Sequence, residues 1–487
     1  MPRFNHIAFT PIQIGVCLLS VAIALLTLNA YFQYVGQGYI YLLFAVISNA
    51  LLYLGFNKKA LFFDAFIGIF FWLGFWLKLT IRVGFTEGVF FEHTGNFDGS
   101  GAAFDRGLLV ASCGMAALIV ATLIRRRFFF FPDAVTGSVG LPGLFDCYKK
   151  NRKFILIAFV ILFLFISLSN LYLGVYQRGQ VARTVLPYGL GGVYKWLLLF
   201  GMASFMAVIL RFECLISNHK PYVVSILSVL ESFASNVSLL SRGMILNMSA
   251  LYYGLFKDSN SRGSAKFGLR FLVTITLVFG LLFVSSVYIV NYLRFHGPEI
   301  FGQTWSSSEA RESVDRANSA AVRNMATPLF IDRWVGMEGV FAVSSSDKTG
   351  GELWHQAWQE VYRGYGTSFY DLNLIQSSYL EIDTTKHHYI SLPGIIAFCF
   401  YPGSFQFLFG ALILVGFIGA AIEIFVYKFG GRNLILCSLL GQVVAFRFAS
   451  FGYVPTQSYL LFGTLFLNVM LIYGLNKALL FRHRPSL

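Results

Sequence analysis

Apolar residues fall along the chain in long runs separated by short polar connections. Twelve runs read as candidate membrane spans: 11–32, 37–56, 60–81, 107–124, 154–175, 191–211, 221–238, 243–257, 270–290, 405–427, 433–452 and 458–479. A helix needs ~17–25 mostly apolar residues to cross hydrocarbon, and backbone inside a bilayer must satisfy its own hydrogen bonds. The pattern therefore predicts an all-α polytopic membrane protein of about a dozen transmembrane helices. The pair 221–238 and 243–257 also reads as one element broken at Ser241-Arg242-Gly243. Residues 389–400 are apolar but too short to cross, so 389–404 is expected to be re-entrant or interfacial. No small-residue cleavage site follows the first run, which predicts a retained span.

The polar connections set the orientation. With the N-terminus inside, the inner connections hold 21 of the 37 Lys and Arg residues and 7 of the 23 acids, so the net charge of +14 lies on the cytoplasmic side. Positive charge of this kind marks the inner face and calls for no nucleic acid. An even number of spans returns the basic C-terminus to the same side. Residues 1–290 then form nine helices with short outer loops at 82–106 and 175–192. Residues 291–388 form one large outer loop, and 405–487 carry the last three helices and the basic tail. Within the large loop, helices are expected at 306–326 and 351–362.

Composition agrees with this layout. Of 487 residues, 56% are hydrophobic and only 12% charged, against ~25% charged in an ordinary soluble protein. The 53 Phe and 25 Tyr residues fit lipid-facing bulk and interfacial belts. Cys17, Cys113, Cys147, Cys214, Cys399 and Cys437 form no C-x-x-C pair, so neither a disulfide framework nor a zinc site is expected.

Candidate chemistry lies where charge approaches the membrane from outside. Lys78, Arg82, Arg242 and Arg447 sit at outer span ends. Arg178, Arg183, Arg294, Arg316, Arg323 and Arg333 sit in outer loops. Arginine stays charged and grips phosphate through its planar fork, so the group suits a lipid-linked phosphate or pyrophosphate. Pairing with the outer acids, or snorkelling, is the plainer account. Asp332, Glu338 and His355 are candidate acid–base groups, with Asp371, Glu381, Asp383, His387 and His388 behind them; Trp334 is placed to stack on a sugar ring. His387-His388 bring no third ligand by spacing, and the acid-x-acid run 381–383 lies in the large loop rather than the first outer loop, where some membrane glycosyltransferases carry such a metal motif, so no metal is expected. Glu231 is an acid within a span, a functional candidate that hydrogen bonding to Ser228, Ser232 or Ser235 explains equally well.

The order of these features resembles the O-antigen polymerases, the Wzy-type oligosaccharide repeat-unit polymerases. That family carries arginine motifs of the form R-x10-G and R-x15-G in two periplasmic loops. Here Arg178 and Gly189 have the first spacing and Arg323 and Gly339 the second, each in the expected loop. The resemblance implies a membrane glycosyltransferase (GT-C-like) in the bacterial inner membrane, working without a cofactor. It would transfer a growing glycan from undecaprenyl pyrophosphate to a new repeat unit. Implied partners are undecaprenyl-pyrophosphate-linked oligosaccharides, membrane lipid, a chain-length regulator and a flippase. Arg178, Arg242 and Arg323, then Arg183, Arg333 and Arg447, would stabilise the leaving pyrophosphate. Two other functions fit the layout. A ligase moving glycan to lipid A core would share the chemistry and use a loop His. A flippase would line its spans with charge, whereas only Asp64, Lys78, Glu231, Glu423 and Arg447 lie at membrane depth.

Overall fold

The computed structural model describes residues 11–90, 92–129, 140–216, 221–241, 243–261, 267–300, 331–361, 367–375 and 390–482. The described residues are 79% helical and contain no strand. Its helices are α1 (Pro11–Gln33), α2 (Gly38–Gly55), α3 (Phe62–Thr86), α4 (Gly101–Phe128), α5 (Pro142–Leu173), α6 (Pro187–Ile216), α7 (Tyr222–Ser238), α8 (Met244–Ser261) and α9 (Leu269–Ile300). There follow the short α10 (Met337–Ser344), α11 (Gly351–Trp358) and α12 (Gly394–Cys399), then α13 (Phe405–Phe429), α14 (Leu434–Ala449) and α15 (Ser458–Arg482). Every one of the twelve apolar runs is helical.

Among the described residues, eight helices are long and apolar enough to cross a membrane: α2 to α6, α9, α13 and α15. Three shorter apolar helices, Cys17–Gln33, Tyr222–Ser238 and Leu434–Ala449, stand beside them. The protein is thus a multi-pass membrane protein. The six-residue α12 is too short to cross and is buried between α4, α10, α13 and α14. Of the two helices expected in the large loop, 306–326 lies outside the described residues, and the other forms as α11.

Local sequence sets the helix ends. Ser100 accepts from Ala103 N at the start of α4, and Asn433 accepts from Ile435 N and Leu436 N at the start of α14, filling donors that a first turn leaves open. α7 stops at a tight break where Leu240 takes a left-handed conformation (φ 48°).

Packing sorts the helices into centre and rim. α14 lies inside, packed against α3, α6, α8 and α13. In hydrocarbon, burial gives helices little reason to associate, and small residues that allow close approach take over. Gly254 of α8 shows this: a Cβ there would stand 2.7 Å from Ile435 Cα. The apolar window of α3 is 78% buried, those of α9 and α15 only 22%. On α5, Phe154, Ile157, Ile161, Phe165, Leu168 and Tyr172 are all exposed. Their spacing of three and four residues makes one stripe, the face this helix would show to lipid.

Charges gather at the two ends of the bundle. At one end, Arg125 pairs with the buried Asp64, Lys257 donates to Ala60 O at 3.1 Å, and Arg152 pairs with Glu213 at 2.6 Å. Glu423 of α13 accepts from Phe62 N at 2.9 Å and Phe63 N at 2.6 Å, a carboxylate placed on the positive end of α3. The basic connections of the sequence thus share one end. The opposite end, called the loop end below, carries 87–100, 174–186 and 331–361. Reporter fusions after Lys59, Arg127, Arg270 and Arg432 are expected to read cytoplasmic, and fusions at Asp98, Gln180 and Ser345 periplasmic. A cytoplasmic signal at Ser345 overturns the charge-based orientation.

Candidate functional site

The loop end is organised around the last two turns of α3. This helix widens to a π-helical stretch at Trp72–Leu77, a departure often found at functional sites. The large loop crosses it there in backbone contact. A Cβ on Gly74 would stand 2.2 Å from Val335 O, and one on Gly336 would stand 1.9 Å from Gly74 O. Neither glycine can take a side chain without moving the crossing.

Lys78 and Arg82 follow, four residues apart and so on one helix face. Lys78 is 1% exposed. Its Nζ donates to the Glu338 carboxylate at 2.8 and 3.1 Å, to Asp332 O at 3.0 Å, and to Trp334 O. Arg82 grips the Asp332 carboxylate with two nitrogens, Nε at 3.2 Å and Nη2 beside it. Both acid–base candidates therefore sit in one place, each carboxylate held by a cation. Trp334 stacks on Phe70 of α3 at 5.9 Å, with the Arg333 guanidinium 5.8 Å from its ring. His355 lies elsewhere, on the exposed side of α11, hydrogen-bonded to Gln359 at 2.8 Å.

α10 continues from this crossing, with Glu338 in its first turn. The connection 87–100 lies over it: Phe90 and Phe97 pack on Phe341 at 5.3 and 4.3 Å. Between those two rings the connection carries Glu92. Its side chain is exposed by accessible area, yet protein surrounds it on most sides. Burial, then the nearby Glu338, push its carboxyl up to about 7, with Asp371 and Asp332 adding to the rise and Lys78 opposing it. The neighbouring acids are committed within the fold. Asp371 accepts from Ser368 Oγ at 2.5 Å and Ser391 N at 3.0 Å. Glu360, pushed up by burial, accepts from Phe369 N at 2.8 Å and Val454 N at 3.4 Å.

The arginines form a second group at the same end, around the break after α7. Arg178 N donates to Leu239 O at 2.9 Å, and its guanidinium lies 3.9 Å from where a Gly243 Cβ would stand. Arg294 of α9 donates to Leu240 O through Nε at 3.0 Å and Nη2 at 2.6 Å. Arg447 of α14 donates to Ser458 Oγ at 3.0 Å and lies 5.7 Å from the Phe451 ring. Its Nε is buried with no partner, and Tyr176, two residues before Arg178, is within its electrostatic reach. Among the described residues neither Arg178 nor Arg447 pairs with a carboxylate. Arg183 has a different place: it donates to Leu171 O at 2.8 Å, closing the last turn of α5. Arg242 and Arg323 lie outside the described residues.

A chain of rings runs from the first group toward the second: Trp334 stacks on Phe70, Phe70 meets Phe446 edge-on at 5.5 Å, and Phe446 precedes Arg447. Both motif glycines have a physical account. Gly189 opens α6 in a left-handed conformation (φ 75°), and a Cβ on Gly339 would stand 2.1 Å from Pro393 O. Among the described residues no three His, Cys, Asp or Glu side chains group to hold a metal. The sequence marked Lys78 and Arg82 as charges near membrane depth, but not their partners. It gives Glu92 only as one of the acids of the 82–105 connection, with Glu87, Asp98 and Asp105, and not as a site residue. No family model, curated protein or solved structure matches this chain.

Proposed function

We propose that the protein is a membrane glycosyltransferase that polymerises lipid-linked oligosaccharide repeat units. It would move the growing glycan from undecaprenyl pyrophosphate to a new unit at the periplasmic face of the bacterial inner membrane. The observation that carries this proposal is the placement of Arg178 and Arg447. Both stand at the loop end without a carboxylate partner among the described residues, at the same end as the carboxylates of Asp332 and Glu338. Glycosyl transfer from a pyrophosphate needs both halves. Fixed cations stabilise the charge that develops on the leaving group, and an oxygen base takes the proton of the acceptor hydroxyl. The arginines suit the first task, and the carboxylates at the same end are candidates for the second. Arg183, by contrast, serves the end of α5.

Deletion of the gene, followed by gel separation of surface glycans, tests this. Collapse of the ladder to single repeat units is the expected result. A full ladder that stays on the undecaprenyl carrier points instead to a ligase. Loss of all periplasmic repeat units points to a flippase, and an unchanged ladder overturns the proposal.

A further inference from the structure

The connection that carries Arg178 is fastened to the end of α7. α5 ends at Gly174, whose left-handed conformation (φ 61°) turns the chain out of the helix. One turn earlier, Asn170 is fully buried. Its Oδ1 accepts from Tyr176 N at 2.9 Å and its Nδ2 donates to Tyr176 O at 3.0 Å, so one side chain holds both backbone polar groups of that residue. Nδ2 also donates to Ser238 O at 3.0 Å and to Ser238 Oγ at 2.9 Å. The last carbonyls of a helix find no partner inside it. Those at the end of α7 are taken from outside, one after another. Asn170 of α5 takes Ser238 O, Arg178 N takes Leu239 O at 2.9 Å, and the Arg294 guanidinium of α9 takes Leu240 O. Arg294 Nη2 also reaches Arg178 O at 3.5 Å, so the backbone of Arg178 is held on both sides. Farther along, Arg183 N donates to Gly174 O at 3.0 Å, closing the loop on its own base. From this platform the Arg178 side chain extends to the start of α8, where its guanidinium lies 3.9 Å from the Cβ position of Gly243.

We propose that Asn170 and Arg294 are positioning residues that aim Arg178, a role that rests on the function proposed above, in which Arg178 stabilises the leaving pyrophosphate. Neither touches the substrate. A donor aimed at developing charge is effective because its orientation is fixed before the reaction begins. Asn170 suits the task because a carboxamide offers an acceptor and a donor from one planar group. Aspartate in its place would lack the donor, and leucine would lack both. Arg294 brings a cation to the negative end of α7. Its fork is engaged by Leu240 O, which gives it a task other than the phosphate binding for which its charge marks it in the sequence. A displacement of ~1 Å in a group of this kind costs up to ~100-fold in rate.

The test uses the purified full chain in detergent, with undecaprenyl-pyrophosphate-linked repeat units extracted from the deletion strain. Asn170→Ala is expected to lower kcat by ~10–100-fold with KM unchanged, as when a contact made only in the transition state is lost. The deciding measurement repeats the change in the Arg178→Ala background. Residues that act as one unit do not add, so Asn170→Ala should leave the residual turnover of Arg178→Ala where it is. A loss by the same factor in both backgrounds overturns the positioning role and makes Asn170 a structural tie alone. Arg294→Lys keeps the charge but loses the fork. It is expected to show a smaller loss with the same dependence on Arg178, and it decides the matter if Asn170→Ala fails to accumulate. Wild-type kcat in both variants also overturns the role. Wild-type kcat in Arg178→Ala removes the residue they aim, and the role with it, but leaves the glycosyltransferase function standing. Failure of the wild type to build polymer from these units overturns that function.

Discussion

Alanine at Arg178 or Arg447 is expected to cut polymer formation by ~100–1,000-fold, equivalent to ~2.7–4 kcal/mol of transition-state stabilisation from one lost donor. The expectation follows from where these guanidiniums stand. Each is partly sheltered by protein, and neither pairs with an acid among the described residues. Lysine at the same positions keeps the charge but loses the planar fork, so partial activity is expected. Arg242 and Arg323, selected by the helix break and by motif spacing, belong in the same series. Arg183→Ala should behave differently: it removes a cap from the end of α5 and is expected to lower protein abundance in the membrane more than turnover. Arg311, in the same large loop as Arg323 but without a glycine at motif spacing, is the control and should tolerate alanine. The measurements are polymer length and amount on gels, normalised to membrane protein. Wild-type ladders from Arg178→Ala and Arg447→Ala together would remove these residues from the site.

Lys78→Met is expected to be the most destabilising single change at the loop end. It leaves Glu338, 4% exposed, without its cation, and removes the donor that holds Asp332 O and Trp334 O. Removing one partner of a buried ion pair costs ~3–5 kcal/mol, because the other charge stays buried and uncompensated. Exchanging both partners for uncharged groups is often close to neutral. Lys78→Met with Glu338→Gln should therefore recover most of the lost stability, read as thermal unfolding of the purified chain. If the double variant is no more stable than Lys78→Met, the pair is not what holds the crossing. Activity of the stable double variant also separates roles: a catalytic Glu338 stays lost on recovery, and a structural one does not.

Much of the fold was legible because membrane helices declare themselves locally. The run 405–427 became Phe405–Phe429, and 458–479 became Ser458–Arg482. The largest difference is at α5, which begins at Pro142 rather than near 154. Its first turns are polar and kink at Asn151 (φ −116°), so hydropathy alone reports only the membrane part. The π-helical stretches at Trp72–Leu77 and Leu197–Gly201 left no trace in the pattern, since one extra residue per turn does not change which residues are apolar. The site was legible in kind but not in pairing. Lys78, Arg82, Asp332 and Glu338 were all recognisable as candidates. Their partnership spans 250 or more positions, and no local rule reaches that far. Arg178 and Arg447 are marked by charge near the membrane, whereas the chain of aromatic contacts that leads from Trp334 to Phe446, beside Arg447, exists only in three dimensions.

The crossing at Gly74 and Gly336 also bears on the order of synthesis. Lys78 lies 260 positions ahead of Glu338, so at ~5–20 residues per second the ribosome delivers the acid on the order of 10–50 seconds after the lysine. Through that interval α3 carries two cations whose carboxylates have not been made. Several later helices must be threaded into the bilayer before the counter-charges arrive and cross the open π turn. A chain cut short before residue 331 would hold these cations without the carboxylates that pair with them in the full fold. Arrival of the large loop is thus the event that completes a helix made much earlier.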